Sequence, residues 1–213
     1  MTVILVSLLD WLHLVSSMQN PALEIRAPAE QQLAQLSLQH GFGVAMFEIF
    51  LSPRVGMQTR QLAAVLSRRF IHEHWSRTRS GFVEPEVSED HKAHMRRQML
   101  QGLNMEDSKL CTAVGMCVAT VAQFDFPARW PELLPHLLGM MQSGMPQEVS
   151  SAMRCLVLVS EEMTEQQVPH IITGLFPSLY QIYVSADQFS KGTRASACAV
   201  RSRVKISMEI ERE

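Results

Sequence analysis

Breaks between predicted helices recur at regular intervals along the 213 residues. Asn20-Pro21 is typical of an N-cap followed by proline at the first helical position, and Pro146 begins another helix in the same way. Every second predicted helix begins near residue 21, 57, 104, 146 or 188, which gives spacings of 36, 47, 42 and 42 residues. Such a period predicts helix pairs that stack along the chain, because one pair alone cannot bury its apolar residues.

A paired-helix period of about 40–47 residues is that of HEAT and armadillo arrays. The composition agrees, since hydrophobic residues make up 46% of the chain and long runs of β-favouring residues are scarce. We therefore predict an all-α fold, a right-handed superhelical solenoid of about five HEAT helix pairs. We expect the array to cover residues 1–200.

The net charge of −2 conceals a segregation of charge along the chain. Residues 54–109 hold ten bases and seven acids, whereas residues 110–190 hold two bases and seven acids. This distribution disfavours a uniformly basic nucleic-acid binder. A basic segment followed by an acidic one suits protein partners that carry charged patches of their own.

Two predicted helices carry polar side chains at matching positions, which we call the polar stripe. In each helix the three residues fall at i, i+7 and i+11, so they share one helix face. The stripe residues are Glu24, Gln31 and Gln35 in the first helix and Gln61, Arg68 and His72 in the second. Two interpretations stay open, a ladder of partner contacts on the concave surface of a superhelix or an ordinary solvated face.

Apolar side chains are expected to lie beside the polar stripe and form the core. The flanking residues are Ile25, Ala29, Leu33 and Leu36 in the first helix and Leu62, Val65, Leu66 and Arg69 in the second.

Other chemistries find little support in the sequence. Four cysteines without CxxC spacing predict buried thiols rather than a disulfide framework or a metal site. His72 and His74 point to different sides of a helix, which disfavours zinc. The motifs of nucleotide-binding loops, serine hydrolases and zinc proteases are absent.

An aromatic cluster near the middle of the chain has two interpretations. Phe124, Phe126 and Trp130 could stack against nucleic-acid bases, but the two nearby prolines favour a clamp between adjacent helix pairs.

Three segments together resemble the amino-terminal region of the importin-β, or karyopherin-β, family. Residues 21–36 (PALEIRAPAEQQLAQL) and residues 60–75 (RQLAAVLSRRFIHEHW) are similar to the family's second helices in successive repeats. Residues 125–131 (DFPARWP) match its D-[FW]-P-x-x-W-P turn. The resemblance covers about residues 3–200. Residues 201–213 look unlike the family, so the resemblance implies that they are a divergent tail where a longer solenoid is truncated. Pro28 departs from it, because the family prefers a small residue there; we expect this proline to kink the helix or remove a hydrogen bond.

The resemblance implies a nuclear transport receptor that shuttles between cytoplasm and nucleus through the nuclear pore. Family members bind Ran-GTP through their second helices, carry basic protein cargo such as histones or ribosomal proteins, and contact the phenylalanine-glycine repeats of nucleoporins. The six stripe residues thereby become candidate contacts for Ran or cargo. Arg68 is the best supported of them, since it occupies the family's basic position in its helix. The acidic segment is compatible with basic cargo.

The same resemblance implies a binding scaffold without enzymatic activity, cofactor, direct nucleic-acid binding or membrane insertion. Two alternatives stay open. The first is a generic helical-repeat adaptor that does not bind Ran. The second is an all-α enzyme, which would need a closed pocket with converging ionisable groups.

Overall fold

The computed structural model of the chain describes residues 8–39, 41–163, 167, 169–185 and 187–210, and it places their side chains except at 8, 169–173 and 203–210. These residues form ten α-helices and no strand, which confirms the predicted all-α class. The helices are α1 (Leu8–Ser17), α2 (Leu23–Leu36), α3 (Phe42–Leu51), α4 (Met57–His74), α5 (Glu89–Gly102), α6 (Ser108–Asp125), α7 (Leu133–Gln142), α8 (Pro146–Glu162), α9 (Pro169–Val184) and α10 (Lys191–Ile210).

The chain divides into two compact units, Met1–Gln98 and Met99–Glu213. In the first unit α3 packs against α4, and α1 contacts α2, α3 and α4. In the second unit α6 packs against α8, while α10 lies against α8 and α9. Both units are therefore built from neighbouring helices of the predicted pairs.

The core of the first unit is aromatic at its centre. The ring of Trp11 meets that of Phe42 edge-on at 5.3 Å between centroids, and Phe42 lies 5.2 Å from Phe70. Phe47 and Phe50 are completely buried beside them. Aromatic contacts of this geometry stabilise a core beyond the area that they bury, and here they join α1, α3 and α4.

Two helix starts show how local chemistry fixes the boundaries. α6 begins at Ser108 rather than near the predicted Asn104, because Asp107 Oδ1 accepts the backbone N–H groups of Lys109 and Leu110 at 2.9 Å. An N-cap of this kind satisfies donors that the first helical turn leaves open. α8 begins at Pro146, as the sequence predicts. Thr164 and Gln167 have the spacing of a capping box at the start of α9, but Thr164 lies outside the described residues and only Gln167 is placed.

The helix α2 continues through Pro28 without interruption. Since proline has no N–H, the carbonyl oxygen of Glu24 lacks its usual intrahelical donor. Both residues are exposed, so water can reach that carbonyl. The expected loss of a hydrogen bond thus falls where it costs least.

Gly43 sets how closely α3 can approach its neighbours. A Cβ at this position would collide with the ring of Phe70 and would lie 3.1 Å from Met95 Cε. Because a well-packed core resists added volume, the close approach of α3 to α4 depends on the missing side chain.

We predict that Gly43→Ala lowers the free energy of unfolding by about 1–3 kcal/mol, through overpacking against Phe70. Urea denaturation followed by circular dichroism measures the change. Gly139→Ala is the matched control, because this exposed glycine of α7 has open space around its Cα. There alanine should stabilise the helix by up to about 1 kcal/mol. Equal effects at the two sites would contradict the packing argument.

The cysteines follow the sequence prediction at three of four positions. Cys111, Cys117 and Cys155 are buried free thiols, whereas Cys198 is free and exposed. Burial raises the pKa of the Cys155 thiol to about 12, and it also raises the pKa of Cys111. Because the thiolate is the nucleophile, the buried thiols should be unreactive near neutral pH.

We predict that one thiol of the native chain reacts rapidly with Ellman's reagent at pH 8, and that this thiol is Cys198. The raised pKa values keep Cys111 and Cys155 protonated at that pH, and their burial excludes the reagent. Cys198→Ser should remove the fast phase, while Cys155→Ser should leave it unchanged. A second fast thiol in the native protein would contradict the burial described here.

Candidate partner-binding surface

The α2 half of the polar stripe faces solvent. Glu24, Gln31 and Gln35 are all exposed, and none of their side chains makes a hydrogen bond or ion pair with another described residue. On the neighbouring face Arg26 and Glu30 form an exposed i,i+4 ion pair at 3.5 Å. The stripe on α2 therefore offers one carboxylate and two amides whose hydrogen-bonding capacity the described fold does not use.

The α4 half of the stripe is exposed in the same way. Gln61, Arg68 and His72 face solvent, and their side chains bond to no other described residue. The other two arginines of α4 make contacts within the fold. Arg60 Nε donates to the Phe50 carbonyl at 2.9 Å, and Arg69 forms an ion pair with Glu73 one turn later. Arg68 thus presents a positive charge that the described structure does not neutralise.

The core-facing residues of both helices differ in part from the prediction. On α2, Ala29 and Leu33 are buried as expected, but Ile25 is 48% exposed. On α4, Val65 is 64% exposed and Arg69 is also exposed. The buried face of α4 consists instead of the small residues Ala63, Ala64 and Ser67 together with Ile71 and His74. Small side chains let α4 approach α3 closely. The spacing of large apolar residues along the sequence does not indicate such a face.

A cleft of about 520 Å³ lies between α2 and α4, and the sequence did not predict it. Its lining combines apolar side chains with charged groups at the edge. The lining residues are Met18, Glu30, Leu33, Ala34, Ser37, Leu38, Phe42, Leu66, Arg69, Phe70, Glu73, His74 and Val83. The stripe residues do not line it, so cleft and stripe occupy different faces of the same helices. Leu66 and Phe70 are only partly buried because they line this cleft. No sequence motif marks the cleft.

The segment that follows α4 is anchored to the first unit at both ends. His74 is buried, and its Nδ1 lies 2.7 Å from the Val83 carbonyl oxygen. The buried Lys92 donates to Glu86 at 2.7 Å and stands 5.7 Å above the Trp75 ring. A buried ammonium is tolerated only where carboxylates and a ring face compensate its lost hydration.

These contacts give His74 and Trp75 structural roles. His74 bonds backbone carbonyls instead of joining His72 in a metal site. Among the placed side chains no three histidine, cysteine or acidic residues lie together in a way that could hold a metal ion. Within the described ranges, too, no helix combines the length and apolarity that crossing a bilayer requires.

The turn at residues 125–131 is a buried junction in the second unit. Asp125 is buried and forms an ion pair with Arg129, with 3.1 Å between Oδ1 and Nη2, while Phe126 and Trp130 are 6% and 1% exposed. Gln167 Nε2 reaches back to the Phe126 carbonyl oxygen at 2.6 Å. Rings this deeply buried cannot stack on bases, so the stacking platform is wrong for Phe126 and Trp130. The clamp between adjacent helix pairs stays a prediction with which their burial agrees.

The acidic segment exposes most of its described carboxylates. Glu132, Glu161, Glu162 and Asp187 are exposed, whereas Asp125 is buried against its arginine. The exposed acids can therefore act on a basic partner through long-range attraction.

Comparison with known proteins decides which family these features belong to. Residues 29–105, which include α3, α4 and α5, match the family model of the importin-beta N-terminal domain. The chain carries an importin-β amino-terminal region. The resemblance drawn from the three sequence segments is thereby confirmed.

Importin relatives align over most of this chain. Importin subunit beta-5 of Schizosaccharomyces pombe is 30% identical over 82% of the chain, and Importin-9 of Drosophila melanogaster is 27% identical over 80%. The matches cover 18% and 17% of those proteins, so the chain spans about a fifth of the length of its curated relatives. Stretches such as residues 151–154 (SAMR) and 162–164 (EMT) also look like importin nine, one of these relatives.

The fold matches a solved importin-β solenoid. The structure of yeast importin-beta, Kap95p, superposes with a TM-score of 0.78 at 19% identity, over 95% of this chain and 25% of that one. At this identity the match establishes the fold, which is the predicted solenoid of HEAT helix pairs.

Proposed function

We propose that this importin-β region binds Ran-GTP through the polar stripe on α2 and α4. The observation that carries the proposal is Arg68, which is exposed on α4 and has no ion-pair or hydrogen-bond partner among the described residues. A charge left available on a helix face can steer an oppositely charged partner and orient it on contact. Gln31 and Gln35 on α2 would add uncharged hydrogen bonds to the same partner.

The yeast neighbour supports Ran as that partner. A second solved structure of Kap95p, with a TM-score of 0.77 over 97% of this chain, concerns its binding to RanGDP, whose switch loops adopt the GTP-bound conformation. The basic segment that surrounds Arg68 suits a partner with an acidic patch, since complementary charge accelerates encounter.

Basic protein cargo, such as histones or ribosomal proteins, is the second partner that we propose. The acidic segment supports it, because Glu132, Glu161, Glu162 and Asp187 are exposed there. Attraction to cargo through such groups weakens as salt screens them, with a Debye length of about 8 Å at physiological ionic strength.

The proposed setting is transport between cytoplasm and nucleus through the nuclear pore. Kap95p has also been solved in complex with Nup1, with a TM-score of 0.79 over 95% of this chain. We therefore include nucleoporin phenylalanine-glycine repeats among the proposed partners. In this role the chain works by reversible binding, without covalent chemistry.

Arg68→Glu tests the assignment of the stripe. Reversing this charge should weaken the binding of Ran-GTP by about tenfold or more and flatten its salt dependence, because a rim charge acts mainly on association. Isothermal titration calorimetry at two salt concentrations measures both effects.

Arg97→Glu provides the matched control for that experiment. Arg97 is also exposed and also makes no ion pair or hydrogen bond with a described residue, but it lies on α5 outside the stripe. It should leave the affinity within about twofold of the wild type. Unchanged binding by Arg68→Glu, or an equal loss in the two variants, would show that the stripe is not the Ran contact.

A further inference from the structure

The tip of the segment between α4 and α5 carries three hydroxyl side chains in five residues. They are Ser76, Thr78 and Ser80, and they alternate with Arg77 and Arg79 in the sequence SRTRS. Exposure and hydrogen bonding distinguish the three hydroxyls from one another.

Two of these hydroxyls are hydrogen-bonded to each other. Ser76 is buried, and its Oγ lies 2.8 Å from Thr78 Oγ1, so each hydroxyl satisfies the other. Ser76 Oγ also faces the Thr78 backbone N–H at 3.4 Å. Thr78 and Ser80 are both exposed, but the Ser80 side chain, unlike that of Thr78, bonds to no described residue.

The surroundings of Ser80 are basic on its amino-terminal side. Arg77 stands three residues before it and Arg79 immediately before it, while Gly81 with φ +84° follows. Arg77 keeps 64% of its side chain exposed although it pairs with Glu84 at 3.4 Å and Glu86 at 3.1 Å. An arginine three residues before the acceptor is what the acidic substrate groove of a basophilic protein kinase recognises.

The tip can open without unfolding the helices. A kinase holds its substrate extended, so the ion pairs of Arg77 and the turn hydrogen bonds on either side of Ser80, Arg79 N–H to the Ser76 carbonyl and Phe82 N–H to the Arg79 carbonyl, must release first. The exposed pair of Arg77 with Glu84 contributes at most about 1 kcal/mol. The two ends of the segment stay fixed by buried contacts, His74 to the Val83 carbonyl and Lys92 to Glu86. Local opening of such a surface tip costs far less than global unfolding.

We propose that Ser80 is a phosphorylation site for a basophilic serine kinase. In the reaction Ser80 Oγ attacks the γ-phosphorus of ATP, the bond from that phosphorus to the β,γ-bridging oxygen breaks, and ADP leaves. The hydroxyl proton passes to the base of the kinase. The product is a phosphoserine with about −1.5 to −2 charge at pH 7 and three acceptor oxygens.

The new phosphate changes the ion pairs of the tip. The phosphate lies one residue from Arg79 and three residues from Arg77, so it competes with Glu84 and Glu86 for the Arg77 guanidinium. Glu86 keeps its bond to the buried Lys92, at 2.7 Å. Phosphorylation therefore replaces the carboxylate partners of Arg77 with the phosphate, while the bond between Glu86 and Lys92 of α5 remains.

The test uses the full 213-residue chain, ATP and the catalytic subunit of cyclic-AMP-dependent protein kinase. Phosphate incorporation is followed by intact-mass spectrometry and located by peptide mapping. We expect stoichiometric labelling of Ser80, loss of that label in Ser80→Ala, and at least a tenfold slower rate in Arg77→Ala. Thr78→Ala is the matched control and should be labelled like the wild type.

A synthetic peptide of residues 74–86 separates recognition from accessibility. If the peptide is labelled but the folded chain is not, the tip does not open and the proposal is overturned. Labelling that persists in Ser80→Ala, or that falls equally in Thr78→Ala and Arg77→Ala, overturns it as well. Hydrogen exchange should show faster amides at residues 77–82 after phosphorylation and unchanged amides in α5; no change at the tip would contradict the exchange of partners.

Discussion

The close packing of α4 against α3 is the constraint on which the candidate surface depends. α4 buries a face made of the small residues Ala63, Ala64 and Ser67 together with Ile71, and α3 can approach α4 because Gly43 has no side chain. Since one face of α4 is committed to the core, a second faces the cleft and a third is left to solvent. The polar stripe lies on that third face, so the fold of the first unit determines what α4 offers to a partner.

The charges of the first unit divide into those that hold the fold and those that remain available. Lys92 is buried against Glu86, Glu89 and the Trp75 ring, and Arg60 is bonded to the end of α3. These charged groups have replaced water with fixed protein partners, so breaking their contacts in order to bind another protein would cost a large amount of free energy. Arg68 has made no such exchange among the described residues, which is why it can serve recognition.

Much of the fold could be predicted from the sequence because helix punctuation is local. Pro146 and the glycine and proline breaks marked starts and ends within a few residues, and the repeat period gave the helix pairs. The core face of α4 was predicted less well, since Leu62, Val65 and Leu66 are larger and more apolar than the alanines that are buried. The packing of α4 against neighbouring helices places small residues on its buried face, and the residue pattern of one helix alone cannot predict this. The six stripe residues are exposed, as the sequence predicts, while their role as partner contacts stays a prediction. The cleft beside them depends on two helices meeting, and no sequence motif marks it.

The central proposal is that this importin-β region binds Ran in its GTP form. Calorimetric titration of the wild-type chain with Ran-GTP and with Ran-GDP, each at low and physiological salt, tests it most directly. The account predicts that the GTP form binds at least tenfold more tightly and that its affinity falls as salt rises. Equal affinity for the two forms, or no binding of Ran-GTP by a chain whose circular dichroism shows it to be helical, would contradict the account.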